Sequence, residues 1–204
     1  MEKVKMKRGI YLIVMALFLV SAGYALTGEE AISKFRNRMR SIKTMSGNIS
    51  WTHSSGEMYS GSFKYMAPGK IHVTLDSPSG KTIVSNGNTL WVYDVANNIC
   101  GIQDLGKPGS GGIIGMISGY MGIATPSSSG YTIKLRNDEK YYTDIILLVD
   151  SSFLLRRALL KTGTDKTIMI FLSGVRTGVT FNPGIFTFRV PDDAQIVNTP
   201  FNIR

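Results

Sequence analysis

Few residues of this 204-residue chain could carry out acid–base or metal chemistry. It contains two histidines: His53 beside a turn, and His72 between Ile71 and Val73 in a strand pattern. Neither has a second metal-ligand residue at a metal-site spacing, and the G-x-S-x-G motif of hydrolases does not occur. We therefore expect two exposed strand histidines, with no catalytic residue and no metal ligand.

The single cysteine, Cys100, stands next to Gly101. One cysteine excludes an intramolecular disulfide and any zinc site built on several cysteines. An activated thiol needs a histidine nearby in the fold, which sequence spacing does not show. We predict a small buried or half-buried thiol, and a protein that is not an enzyme and needs no cofactor.

The first 25 residues have the pattern of a secretory signal. Four basic residues precede an apolar run at 10–20, and the small residues Gly23 and Ala25 follow at the −3 and −1 positions of a cleavage site. The apolar run would rise only about 16 Å as a helix, whereas a membrane core is about 30 Å thick, so an anchor is less favoured. The sequence predicts a signal peptide at 1–25, a single domain at 26–204 and a periplasmic location.

An amphipathic helix is predicted after the signal. Thr27 and Glu30 have the capping-box spacing, and apolar residues recur at helical spacing from residue 32 to residue 42. A cluster of cations on this segment is typical of a solvated helix face, and the alternative is contact with an acidic membrane surface or an acidic partner. We predict a monomer that does not bind nucleic acid, because no nucleic-acid-binding motif is present. These cations are Lys34, Arg36, Arg38, Arg40 and Lys43.

The rest of the chain is predicted to be mainly β. Turn signals separate short runs rich in β-branched and aromatic residues, which indicates about ten antiparallel strands joined by hairpins. Asn86-Gly87 predicts a type I′ hairpin. Residues 145–149 and 168–172 are apolar at successive positions, as in strands covered on both faces. We expect a mainly β fold with a few helices, in the form of an up-and-down antiparallel barrel or a strongly curved sheet.

Residues 109–123 form an apolar segment in which Gly111, Gly115 and Gly119 recur every four residues. A helix here would carry a stripe of glycines, each of which costs about 1 kcal/mol relative to alanine. Two interpretations remain open: a buried connecting helix that packs closely, or a mobile apolar flap over the sheet.

The predicted hairpin at residues 83–94, I-V-S-N-G-N-T-L-W-V-Y-D, follows a strand and proline turn at 63–70. Together they resemble the I-V-S-[DN]-G-x-x-L-W-x-Y hairpin of the periplasmic outer-membrane lipoprotein carrier (LolA-type) family. The sequence F-T-F-R-V-P at 186–191 is similar to the closing strand of that family. Better-known members carry an arginine directly before the proline, where it bonds the lid backbone, and Ala67 stands in its place here.

The resemblance implies a half-open antiparallel β-barrel, or strongly curved sheet, covered by short lid helices. Such a carrier accepts the acyl chains of a lipoprotein from an inner-membrane lipoprotein-releasing ABC transporter and delivers them to an outer-membrane receptor. Roughly 15 methylenes, at about 0.8 kcal/mol each, make exposure of one chain to water cost about 12 kcal/mol, so transfer requires a shield. The expected acyl cavity comprises Phe63, Tyr65, Ile71, Val73, Leu75, Trp91 and Tyr93 from the sheet, with Ile113, Ile114, Met116, Ile117 and Tyr120 from the apolar segment.

Two other functions remain open. A binding module of the same fold could sense lipids or lipoproteins and regulate an envelope response, and a secreted hydrolase is the third hypothesis. The sequence does not determine which strand face lines the cavity, because a one-residue register shift moves every side chain to the other face.

Overall fold

The computed structural model describes residues 27–106 and 115–198. The predicted signal peptide and two expected cavity residues, Ile113 and Ile114, lie outside these ranges. Within them the fold is one twelve-stranded sheet with the α-helix α1 (Gly28–Ser41) and a short 3-10 helix at Pro183–Phe186.

The strands follow one another along the chain, mostly as hairpins. Across the sheet their order is β12-β6-β5-β4-β3-β2-β1-β11-β10-β9-β8-β7. All neighbouring pairs are antiparallel except β12 and β6, which are parallel. The strands are β1 (Thr44–His53), β2 (Met58–Met66), β3 (Lys70–Ser77), β4 (Lys81–Asn86), β5 (Thr89–Asp94), β6 (Ile99–Asp104), β7 (Met121–Ser127), β8 (Gly130–Arg136), β9 (Tyr142–Asp150), β10 (Leu155–Thr162), β11 (Thr167–Thr177) and β12 (Gln195–Asn198).

The prediction of a mainly β fold with a strongly curved sheet is confirmed. The sheet does not close into a barrel, because β12 and β7 form its two edges and do not pair with each other. The hairpin between β4 and β5 is also present, but its turn differs from the expected type I′. Gly87 has φ +97° whereas Asn86 does not have a positive φ; instead, the Asn86 side chain accepts hydrogen bonds from the N–H groups of Asn88 and Thr89.

Helix α1 begins as predicted. The Glu30 N–H donates to Thr27 Oγ1 over 3.2 Å, and the Thr27 N–H donates to Glu30 Oε2 over 2.9 Å, which completes the capping box. The helix packs against β7 and β8 and buries Ile32 and Phe35. We call the sheet face that carries α1 the inner face and the opposite one the outer face.

Two hydrophobic clusters lie on the inner face. The helix cluster lies beneath α1 and includes Phe35, Ile133 and Leu147, all fully buried. The strand cluster lies on β1–β3 and is built on Phe63, Val73 and Leu75. Met39 of α1 and Leu172 of β11 contact both clusters, so the two form one apolar surface along the curved sheet.

The C-terminal segment covers the outer face of β3–β6. The buried Phe186 of the 3-10 helix lies there, and the ring of Phe188 packs 5.5 Å from that of Tyr93. His72 is half-buried and its Nδ1 lies 2.6 Å from the Ile185 carbonyl oxygen, so the prediction of an exposed histidine is wrong. Cys100 is fully buried as expected, and this burial raises the pKa of its thiol.

The predicted glycine stripe is only partly a helical feature. Gly115 and Met116 are helical, but Gly119 lies in a turn with φ +81°. The Asn137 side chain donates to the Gly119 carbonyl oxygen over 2.9 Å. A residue in this conformation ends a helix, so Gly119 cannot continue the stripe of Gly115.

Gly61 allows β2 and β3 to approach closely within the strand cluster. A Cβ at this position would clash with the Thr74 carbonyl oxygen and lie 2.9 Å from Leu75 Cα. We expect Gly61→Ala to lower the free energy of unfolding by about 1–3 kcal/mol, measured by urea denaturation. Gly163→Ala is the control, because the nearest atom is an ordinary 3.6 Å away. Equal denaturation midpoints for the two variants would contradict the prediction.

Candidate apolar binding site

The strand cluster presents partly exposed apolar side chains on the inner face. Helix α1 contacts β7 and β8 at the far side of the sheet, and within residues 27–106 and 115–198 it is the only α-helix with defined bounds. The cluster has a floor of buried side chains and an upper layer that remains half-exposed. This upper layer comprises Ile49, Trp51, Tyr59, Tyr65, Ile71 and Ile83, among others.

Strand register places five of the expected cavity residues together on this face. Phe63 lies opposite Val73, and Tyr65 lies opposite Ile71, across the β2–β3 pair. Phe63, Val73 and Leu75 are at most 5% exposed and form the floor, whereas Tyr65 and Ile71 lie in the half-exposed layer. The structure therefore brings Phe63, Tyr65, Ile71, Val73 and Leu75 into one apolar surface.

Trp91 and Tyr93 lie on the outer face instead. Trp91 is opposite Val84, which is opposite His72, so all three share the face covered by the C-terminal segment. Tyr93 is on the same face, and its hydroxyl donates to Asn98 Oδ1 over 2.9 Å. Alternation along β5 puts Val92 on the inner face. The prediction that Trp91 and Tyr93 line a cavity together with Phe63 is therefore wrong, because their side chains lie on the opposite face of the sheet.

The described part of the apolar segment packs into the helix cluster. Ile117 and Tyr120 are buried there and Met116 packs against them. The Tyr120 hydroxyl donates to the Tyr142 carbonyl oxygen, which holds this end of the segment on β9. Met116, Ile117 and Tyr120 thus adjoin the strand cluster through shared neighbours and do not lie directly beside Phe63.

The sequence prediction missed an aromatic pair in the upper layer. The rings of Trp51 and Tyr59 stack with centroids 5.0 Å apart and an interplanar angle of 11°, and His53 packs edge-on against Tyr59 at 5.9 Å. The alternation of Ile49 and Trp51 in β1 is the sequence pattern that could have indicated this pair. That pattern does not show which face of β1 is the inner one, so it did not identify the pair.

The site offers little charge to a ligand. An ion pair lies at the β4–β5 end, where Lys81 Nζ is 3.1 Å from Asp94 Oδ2. Burial raises the pKa of the Tyr65 phenol above its ordinary value. Among residues 27–106 and 115–198, no group of three or more His, Cys, Asp or Glu residues could hold a metal ion. No helix in the same ranges is long and apolar enough to cross a membrane.

Comparison with known families identifies the chain's relatives. The family described as "Outer membrane lipoprotein carrier protein LolA" matches residues 40–189. The chain belongs to the LolA family. Two outer-membrane lipoprotein carrier proteins resemble it along most of their length. The one from Francisella philomiragia is 24% identical over 93% of this chain and 97% of its own, and the one from Methylococcus capsulatus is 26% identical over 91% and 96%.

Solved structures share the fold at low sequence identity. An uncharacterized conserved protein from Thermus thermophilus aligns with a TM-score of 0.55 and 13% identity, over 83% of this chain and 98% of its own. The Pseudomonas aeruginosa MucA/MucB complex aligns with a TM-score of 0.52 and 10% identity, over 83% of this chain and 63% of the matched chain. LolA family members are non-enzymatic carrier or binding proteins, and the carriers among them are periplasmic.

Ala67, which replaces the arginine of better-known LolA proteins, lies in the turn between β2 and β3. Its N–H donates to the Lys43 carbonyl oxygen over 2.8 Å, so the turn is fixed by its backbone. The neighbouring Lys64 and Lys70 lie on the outer face with His72.

The raised pKa of Tyr65 predicts a pH effect on stability. The folded protein favours the neutral phenol of Tyr65. The contribution of this group to the free energy of unfolding is therefore complete below about pH 10, the ordinary tyrosine pKa, and is lost as pH rises through the folded-state pKa. We expect wild type to lose more stability than Tyr65→Phe between pH 9 and pH 11, as measured by urea denaturation. Tyr141→Phe, at a 48% exposed position, is the control. Identical pH profiles for wild type and Tyr65→Phe would contradict the prediction.

Proposed function

We propose that this LolA-family protein is a periplasmic carrier that shields lipoprotein acyl chains on the strand cluster. The observation that carries the proposal is the half-exposed apolar layer over a buried floor on the inner face. Soluble proteins rarely leave a contiguous apolar surface open unless it binds something. An acyl chain matches this surface because it offers only apolar area.

The chemistry of the surface suits both uptake and release. Burial of methylenes is non-directional, so chains of different length and saturation can occupy the same surface. Aromatic rings at Trp51, Tyr59 and Tyr65 supply broad, rigid contact area. Met39, which bridges to the helix cluster, can repack around varied chains because its thioether side chain is flexible.

The partners follow from the family resemblance and are proposed with it. Cargo would be received from an inner-membrane lipoprotein-releasing ABC transporter and passed to an outer-membrane receptor. A signal peptide at 1–25 and a single carrier domain at 26–204 are part of the same proposal. With Ala67 in the β2–β3 turn, closure over the cargo would depend on apolar contacts in place of an arginine hydrogen bond.

The two tryptophans, one on each sheet face, provide a direct test. A brominated fatty acid quenches an indole only at close range. The fluorescence of Trp91→Phe, whose remaining indole is Trp51, should be quenched. The fluorescence of Trp51→Phe, whose remaining indole is Trp91, should stay nearly unchanged. Trp51→Ala should weaken binding about tenfold or more, because a ligand loses the area of one aromatic side chain. Quenching of Trp91 alone would place the ligand on the outer face and refute the proposed site.

A second measurement separates carrier from regulator. Protein loaded with a fluorescent triacylated lipopeptide is mixed with acceptor vesicles, and a non-acylated peptide of the same sequence is the control. A carrier should bind only the acylated form and release it to the vesicles. Tight binding without transfer would favour the sensing module of the same fold. Failure to bind either peptide would refute lipoprotein cargo.

A further inference from the structure

The outer face of β7–β11 carries an apolar patch that the acyl-binding proposal does not use. Within residues 27–106 and 115–198, no other element packs on this part of the sheet. Met121 and Ile123 on the edge strand β7 are 81% and 62% exposed, and the other members are half-buried. The patch comprises Met121, Ile123, Ile146, Leu148, Leu159, Met169 and Phe171, which share the outer face by strand register.

Cations stand inside this patch, between the apolar residues. Lys134 lies opposite Ile123 on one side and Ile146 on the other. Arg157 lies between Leu148 and Phe171, and its guanidinium carbon is 4.2 Å from the centre of the Phe171 ring. The patch is therefore a surface in which exposed long cationic side chains and apolar side chains alternate from strand to strand.

The central cations differ from those at the rim of the patch. At the rim, Arg136 pairs with Asp138 and Asp144, Arg156 with Asp150, and Lys161 with Asp165, so these charges are compensated. By contrast, Lys134 and Arg157 form no ion pair with any residue in the described ranges 27–106 and 115–198. Within this part of the outer face, the unpaired cations therefore lie among the apolar side chains, whereas the cations at the rim are compensated.

Two open grooves run along the same face. One, of about 640 Å³, is lined by Met121, Ile123, Lys134 and Ile146, among others. The other, of about 430 Å³, is lined by Leu148, Arg157 and Phe171, among others. Each groove also contains a carboxylate, Asp144 or Asp150, that is paired with an arginine. Beside that pair, each groove has one unpaired cation and apolar walls, an arrangement that can hold an anionic headgroup above an apolar stem.

We infer that the outer face of β7–β11 docks on an anionic phospholipid surface. The phosphates of the lipid headgroups would pair with Lys134 and Arg157, whose aliphatic stems lie along the patch with their charged ends towards the headgroups. The exposed Met121 and Ile123 would enter the boundary between headgroups and acyl chains, as apolar residues of interfacial segments do. A symmetric pairing of two copies would bring the cations of both patches together without counterions, which disfavours self-association here.

Docking through this face leaves the inner face free, because the two surfaces are on opposite sides of the sheet. The inference therefore stands apart from the acyl-binding proposal and is tested without cargo. Binding is measured by co-sedimentation with phosphatidylcholine vesicles, either alone or with a third of the lipid replaced by phosphatidylglycerol. We expect binding to the anionic vesicles only, and a decrease in binding as salt is added.

The decisive comparison is between two double charge reversals. Lys134→Glu/Arg157→Glu should weaken binding to anionic vesicles at least thirty-fold, from a loss of about 1 kcal/mol per cation before any added repulsion. Arg36→Glu/Arg40→Glu on α1 changes the net charge equally and should retain most of the binding. Loss of binding in the helix variant alone, or equally in both, would overturn the proposal in favour of the helix or of net charge.

An apolar pair of variants completes the test. Met121→Ser/Ile123→Ser should weaken vesicle binding, whereas Val95→Ser, at a 56% exposed position in the turn between β5 and β6, should not. Brominated fatty-acid quenching of Trp51 should be unchanged in all these variants, so loss of vesicle binding is distinguishable from loss of the acyl site. If the wild type does not bind anionic vesicles, or binds neutral vesicles equally well, docking on anionic lipid is refuted. An acidic protein would then be the remaining candidate ligand of this patch.

Discussion

The alternation of side chains across one sheet is the constraint on which the rest of this structure depends. Several strands carry apolar residues at successive positions, so both faces of the sheet need cover. On the inner face, α1 covers the β7–β8 side, and on the outer face the C-terminal segment covers β3–β6. These two covers lie at opposite ends of the sheet and on opposite faces. Among residues 27–106 and 115–198, the strand cluster and the outer patch of β7–β11 are the apolar surfaces that these two elements leave uncovered.

Local signals predicted the local structure well. The capping box and helical spacing of α1 needed only residues within one or two turns, and the β4–β5 hairpin needed only its glycine and two flanking strands. Strand spacing predicted a barrel or a strongly curved sheet, and the family resemblance favoured the half-open form. The turn type at Asn86-Gly87 was beyond these signals, because the Asn86 side chain bonds backbone N–H groups and so replaces the expected conformation.

Long-range register could not be predicted, and the errors in the site follow from it. Trp91 and Tyr93 alternate with the apolar Leu90 and Val92, so both faces of β5 are apolar and the pattern does not mark the inner one. The half-burial of His72 could not be predicted, because its partner, the Ile185 carbonyl, lies far along the chain. Trp51 and Tyr59 become a pair only when β1 and β2 are aligned. Residue types indicated that the site is apolar, and strand pairing determined which residues belong to it.

The position of β1 has a consequence for how the protein is made. This strand lies near the centre of the sheet, between its hairpin partner β2 and β11, which comes more than a hundred residues later in the chain. Until β11 has emerged, β1 has an unpaired edge, and closure of such a distant contact is slow. The two halves of the sheet can form as separate meanders, but the apolar surface they share through Leu172 cannot. Joining of the two halves is therefore the last step of sheet formation, and it waits until β11 has been synthesised.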